Sequence, residues 1–468
     1  MKPLWSVLLA SVALSACVVG PDYQTPAAPT VKNYDKETVQ LEGIKLNSRQ
    51  TIRHDWWQMY QSPALNALIA QGLKNSPTLA AASARLRSSE ESLVGSKANA
   101  YFPAIDGKVN AGRQKISGAA FGNTNFGSIF TLYGASVNVT YDLNFFGKAQ
   151  RFLEAQQAGI DYNAIQLRAA RLTLVANIIT TAVQEAGVRA QLAAQQEVIR
   201  AEQQALSISE ERYVLGAIAK NELLLQRTAV AQLQTALPPL RKALAFSRHQ
   251  LAVLVGVMPS EADLPTFTLA ELHLPKDLPL SLPSTLAQQR PDIQGAEALL
   301  HQASAQVGVA TANLYPQFSI TSGMGTEGTR LIDILTTKPI WNLGANLLQP
   351  LFHAGELRAY KRAAEADFEQ ARAVYRNTLL QAFGNVADAL QALQHDQHSY
   401  QLQQQAEALA KESHDLAVKQ FAQGASTQLA LLTAQSQWQQ AHIAVVQART
   451  TLLNDTTALL QALGGSPL

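Results

Sequence analysis

Few residues of this 468-residue chain have the types and spacing that chemistry needs. His395-Asp396-Gln397-His398 places two imidazoles at i and i+3 on one helix face, a spacing that can hold a metal. A solvated surface pair is the other reading, and His414 stands alone. Gly323-Met324-Gly325 resembles half a phosphate loop, but it falls in a strand pattern and not ahead of a helix, which rejects it. No GxSxG, HExxH or Walker sequence occurs, and acidic and basic residues are scattered without a paired-carboxylate constellation. The expectation is a chain that is not an enzyme and holds no metal or cofactor.

The most specific chemistry belongs to Cys17, the one cysteine. Lys2 supplies a positive start, and Leu4 to Ala13 form an apolar stretch too short to span a bilayer. Leu14-Ser15-Ala16-Cys17 then resembles the bacterial lipobox, in which cleavage leaves a lipidated cysteine as the first residue. An ordinary signal peptide over 1–16 with a chance cysteine is the alternative. One acyl chain holds a membrane only marginally; bacterial lipoproteins carry three. Val18 follows, where Asp would favour the inner membrane, so delivery to the outer membrane is expected. A single cysteine also excludes any disulfide or cysteine metal cluster within the chain.

The elements that must carry such an anchor come next. The length allows about three domains. A chain that is 47% hydrophobic and 15% charged is not disordered. A net charge of +2 and 7% aromatic residues give no case for nucleic acid. Beyond Cys17 no run of eighteen apolar residues exists, so a membrane could be spanned only by a closed β-barrel.

The chain reads as a duplication. At an offset of 208, Gly147 matches Gly355, Ala155 Ala363, Tyr213 Phe421, Gly216 Gly424, Arg241 Arg449 and Gly256 Gly464. Upstream, Val94-Gly95 through Tyr101-Phe102-Pro103 matches Val307-Gly308 through Leu314-Tyr315-Pro316 at an offset of 213. Shared Ala and Gln bias is the competing explanation, and it does not account for two gap-free glycine frames. The organisation is therefore a signal peptide (1–16), an N-terminal segment (17–75), a first repeat (76–256), a linker with five prolines (257–290) and a second repeat (291–464).

Each repeat opens with a helix just after Pro77 or Pro291 and then gives two amphipathic strands. These are expected near 104–113 and 133–145, and near 317–326 and 340–352. In 135–143, Ala, Val, Val, Tyr and Leu alternate with Ser, Asn, Thr and Asp. Period two means one apolar and one polar face: a half-buried soluble sheet, or a barrel wall between lipid and water. Four strands cannot close a membrane barrel, and open edges are not tolerated in lipid, so several chains must share one; three would supply twelve strands.

A very long helix follows Gly147 and Gly355, breaks at Gly216 and Gly424, and gives way to another helix. No proline interrupts Lys148 to Leu215 or Glu356 to Gln423, each about 100 Å if continuous. Several shorter helices in a soluble bundle are the alternative. Pro238-Pro239 falls inside the helix after the first break and should kink it; Val446-Gln447, its repeat mate, has no such break.

This order, duplicated, resembles the TolC family of outer-membrane factors, in its NodT-like lipoprotein branch. The resemblance rests on Cys17 with Gly20-Pro21-Asp22-Tyr23, on Trp56-Trp57, on Pro63-Ala64-Leu65 and on Arg290-Pro291-Asp292-Ile293. It rests also on the strand-to-helix junctions ending at Gly147 and Gly355, and on the tips Arg212-Tyr213 with Gly216 and Gln420-Phe421 with Gly424. It implies a mainly α fold with β: periplasmic coiled-coil tunnel helices and four strands per chain of a twelve-stranded barrel, in a homotrimer. It implies lipid on Cys17, a periplasmic adaptor, an inner-membrane pump, and passive export of drugs or other small toxic compounds. A type I secretion duct and a non-conducting, lipid-anchored coiled-coil spacer are the alternatives. The family often carries aspartates beyond the second tip; here those positions are Ala430 and Thr433. Glu222, near the first tip, would become a ring of three under trimer symmetry, or is simply a solvated helix residue.

Overall fold

The computed structural model describes residues 18–31, 33–35, 45–47, 52–117, 127–275, 277–281 and 283–464. Cys17 and the segment 1–16 lie outside the described residues. The helices are α1 (Pro63–Asn75), α2 (Pro77–Tyr101), α3 (Lys148–Val214), α4 (Lys220–Thr235), α5 (Leu237–Leu254), α6 (Pro283–Gln289), α7 (Pro291–Ala312), α8 (Asp333–Thr336), α9 (Glu356–Ala422) and α10 (Gln428–Ala462). The strands are β1 (Lys45–Asn47), β2 (Ala104–Ser117), β3 (Gly127–Leu143), β4 (Asp277–Pro279), β5 (Gln317–Gly328) and β6 (Ile340–Leu348).

Two compact units form, and neither follows a sequence repeat. The first comprises residues up to Pro26, Arg85–Ala164 and Gly295–Arg376; the second comprises Ala27–Ala84, Ile165–Gln294 and Asn377–Leu468. Each unit draws residues from both 76–256 and 291–464. Long helices are the reason: α3 and α9, 67 residues each, contribute their first turns to one unit and the rest to the other.

In the first unit, β2-β3-β5-β6 form an antiparallel sheet. The strands differ in extent from the sequence expectation. β2 and β3 extend further toward their connection, while β3 ends at Leu143 and β6 at Leu348. The lower ends are set by local chemistry. Phe145 N–H turns back to Leu143 C=O at 3.1 Å, and Pro350 has no N–H to continue a ladder.

In the second unit the apolar core gathers Trp56, Tyr60, Leu65, Ile69, Ile178, Ile179, Leu251, Phe267, Leu286, Leu393 and Leu453. Each such side chain contributes about 1.5–3 kcal/mol on leaving water. Tyr60, fully buried, keeps its phenol satisfied at 2.6 Å from Thr457 Oγ1, and burial raises its pKa. Ser62 caps α1 by accepting from Leu65 N–H, with Pro63 in the first turn. The proline-rich 257–290 segment joins this core through Phe267, Leu272, Leu278 and Leu286, and β4 pairs in parallel with β1. At Pro238-Pro239 the helix is divided rather than kinked. The chain breaks at Ala236 between α4 and α5, with the prolines in the first turn of α5, while α10 runs unbroken.

Candidate functional site: an amphipathic sheet and two helix tips

The sheet register sorts side chains by chemistry. Because period two fixes the face, Ile105 sits opposite Val139, Val137 opposite Met324, Tyr141 opposite Ile320, and Met324 opposite Trp341. These residues, with Val109, Phe318, Leu343 and Leu347, make one apolar face across all four strands. The other face carries Asp106, Lys108, Asn110, Ser136, Asn138, Thr140, Ser319, Thr321, Asn342 and Asn346. The apolar face is open: Val109 is 78% exposed and Trp341 77%. A soluble sheet covers such a face; a barrel wall turns it to lipid and the polar face to water. Within this sheet β2 pairs only with β3, and β6 only with β5.

Below the sheet lie the junctions. Gly147 (φ +75°) turns β3 into α3, and Gly355 (φ +86°) opens α9. A Cβ on Gly147 would fall 2.7 Å from Val18 Cγ1, so the residue after Cys17 packs onto this junction. Residues 19–23 are held there by chemistry that the sequence did not reveal. Val19 N–H donates to Phe146 C=O. The Arg151 guanidinium, nearly buried, binds Asp22 at 2.6 Å and Glu154 at 2.8 Å. His301 stacks on Tyr23 with ring centroids 4.2 Å apart and meets Glu154 at 2.9 Å.

The tips belong to the second unit. Gly216 and Gly424 share φ +74°, and each closes the same helix-ending motif. Gly216 N–H donates to Tyr213 C=O and Ala217 N–H to Arg212 C=O; Gly424 donates to Phe421 and Ala425 to Gln420. The 208-residue frame thus repeats a hydrogen-bond pattern. It also makes Glu222 and Ala430 equivalent: both lie in the first helical turn beyond a tip, and both are exposed, as is Thr433. Thr427 caps α10 by accepting from Ala430 N–H at 3.2 Å; Ala219, its mate, provides no side-chain cap.

Between the two hairpins runs a seam of amides. Gln428 donates to Gln226 Oε1 at 2.6 Å, and Gln226 to Glu202 Oε2 at 2.6 Å. Gln439 donates to Gln195, which donates onward to Leu233 C=O. Burial raises the Glu202 pKa. Arg212 lies over the Phe421 ring at 5.8 Å, joining the two tip motifs. Abundant glutamine was the signal available in the sequence, but composition does not say which glutamines meet.

Arg290 of the RPDI segment serves the fold. Its guanidinium binds Asp292 at 2.9 Å and donates to Ala382 C=O and Ala462 C=O. His395 and His398 join no cluster of three or more His, Cys, Asp or Glu side chains among the described residues. No helix among them is long and apolar enough to cross a membrane.

A four-stranded sheet with one apolar and one polar face, in a chain that also carries two helices of 67 residues, defines a channel of the TolC-like outer-membrane type. The family model "Outer membrane efflux protein" matches residues 68–257 and 282–465, and the chain belongs to that family. The chain is 31% identical over 415 residues to the pyoverdine export outer membrane protein OpmQ of Pseudomonas putida, covering 88% of this chain and 87% of that protein. It is 26% identical over 470 residues to the probable efflux pump outer membrane protein TtgC of the same species, covering 99% and 96%. Among solved structures, the outer-membrane channel OprN superposes with a TM-score of 0.86 at 25% identity, covering 96% of this chain and 99% of that one. The chain is thus an efflux channel component of the outer membrane, its helices on the periplasmic side.

Proposed function

We propose that three copies of this chain close a twelve-stranded barrel, four strands from each, and form the exit duct of a tripartite pump that expels small toxic solutes. The observation that carries the reading is the four-stranded sheet with opposite-natured faces and a single-sided strand at each margin. Lipid does not tolerate open strand edges, so each margin must meet another copy. A periplasmic adaptor docks at the tips around Gly216 and Gly424, and an inner-membrane pump supplies the energy. The chain itself performs no catalysis. Acylation of Cys17 belongs to the same reading, and what supports it is Val18, the next residue, which packs at the Gly147 junction at the helix end of the sheet. The mass of the mature N-terminal peptide tests that modification: an unmodified cysteine removes it. Small-solute cargo is supported by relatives named for pyoverdine export and for efflux.

The test is conduction with thiol access. Asn138→Cys, on the polar face, should react with a charged, water-soluble thiol reagent and lower the conductance of the full-length protein in planar bilayers. Val137→Cys, one residue away on the apolar face, should do neither. Reaction at Val137 with silence at Asn138 would overturn the assignment of faces. A deletion strain that keeps its drug resistance but loses an exported polypeptide would favour the secretion duct instead.

A further inference from the structure

The connection between β5 and β6, residues 329–339, is a built element of the sheet's far end, away from the helices. Asp333 accepts from Arg330 N–H at 2.9 Å and pairs with the Arg330 guanidinium at 3.0 Å. Thr326 Oγ1 donates to Ile334 C=O at 2.7 Å, and Thr337 Oγ1 donates to Asp333 C=O at 2.6 Å. The side of the sheet is fixed by register. Thr326 and Gly328 share the face of Met324, opposite Ala135 and Tyr133. A Cβ on Gly328 would overlap Asp333 Cβ, so α8 lies against the apolar face. Yet Leu331, Ile332 and Leu335 all remain exposed, Leu335 at 83%.

The height of this turn is also fixed by register. On β2 the apolar face runs from Ile105 through Val109 and Ala111, and then carries Arg113 and Lys115. Ala104 to Gly112, the part of β2 that precedes Arg113, is nine residues, within the roughly 9–11 that a tilted strand needs to cross the hydrocarbon core. Arg113 and Lys115 therefore stand at headgroup level. Gly328 pairs through Tyr133 to Ala111, just below them. The turn sits at the outer boundary of the hydrocarbon, with the exposed side chains of Arg330 and Lys338 added to the same basic margin.

We infer that residues 329–339 form an outer-leaflet anchor. Leu331, Ile332 and Leu335 enter the upper acyl region, while Arg330, Lys338, Arg113 and Lys115 bind the phosphates of anionic lipid headgroups. The apolar patch is continuous with the lipid-facing sheet, and the basic rim complements a phosphate-bearing surface. This inference rests on the sheet spanning the membrane, and its test separates the two.

Full-length Leu335→Cys and Leu343→Cys proteins carry a bimane label in vesicles of phosphatidylcholine and phosphatidylglycerol, with the unsubstituted protein as background. The lipids bear a nitroxide either near the headgroup end of the acyl chain or near its terminal methyl. Label at Leu343, mid-sheet on the apolar face, should lose fluorescence mainly to the deep nitroxide. Label at Leu335 should lose it mainly to the shallow one. Quenching at Leu343 with none at Leu335 overturns the anchor and leaves the spanning sheet intact; none at either site overturns both. Omitting phosphatidylglycerol should weaken quenching at Leu335 and not at Leu343. Equal quenching with and without it refutes the role of the basic margin.

Discussion

Two glycines with the same backbone conformation should respond very differently to alanine. Gly216 and Gly256 have φ of +74° and +75°, and both end a helix. An L side chain in that region costs about 1–2 kcal/mol. At Gly216 a new Cβ meets nothing within 4 Å, so that strain is the whole expected penalty. At Gly256 the Cβ would fall 2.5 Å from the carbonyl oxygen and 2.9 Å from the carbonyl carbon of Asn75, at the end of α1. A backbone carbonyl cannot rotate aside as a side chain does, and relief by shifting packed elements costs a further ~1–3 kcal/mol. Gly256→Ala should therefore exceed Gly216→Ala by ~1–3 kcal/mol, roughly 5- to 150-fold in a local opening constant. Hydrogen exchange of the full-length protein, read by mass spectrometry over 210–220, 250–260 and 70–80, measures both against the unsubstituted chain. In Gly256→Ala the faster exchange should extend to 70–80, across the contact. Equal effects at the two sites, or an unaffected 70–80 segment, would refute the reasoning.

Arg290→Met should destabilise the second unit by about 2–4 kcal/mol, because it removes charged donors from Ala382 C=O and from Ala462 C=O at the end of α10. Urea midpoints measure this, and Arg290→Lys should recover only part of the loss, since an ammonium cannot reproduce the planar fork. Asp455 should make stability fall with rising pH. Burial, then the hydrogen bond and charge of Asp396, raise its pKa from 3.8 to about 7, so between those values the native state holds a proton that the unfolded chain has lost. The stabilisation is full below pH 3.8 and is lost as pH rises through about 7. Asp455→Asn should flatten that decline in urea midpoints measured from pH 4 to 8; an unchanged slope removes Asp455 as its source.

Much of the fold was legible in the sequence because it depends on local periodicity and backbone chemistry. Alternation in 135–143 determined a two-faced strand, since residue parity alone decides the face. The absence of proline from 148 to 215 determined a long helix, and the glycines at 216 and 424 its end, since only glycine enters that conformation cheaply. Too few strands for a closed barrel followed from counting. What tertiary structure decided are the meetings of residues far apart in the chain: Arg151 with Asp22, Gln428 with Gln226, Arg290 with Ala382 and Ala462. None of these partners is announced by its own neighbours in sequence. Nor could periodicity reveal that α8 folds back onto the apolar face, or that each compact unit draws on both repeats. Both depend on where long helices and strands come to lie after folding, and the sequence records such distances only through the packing it permits.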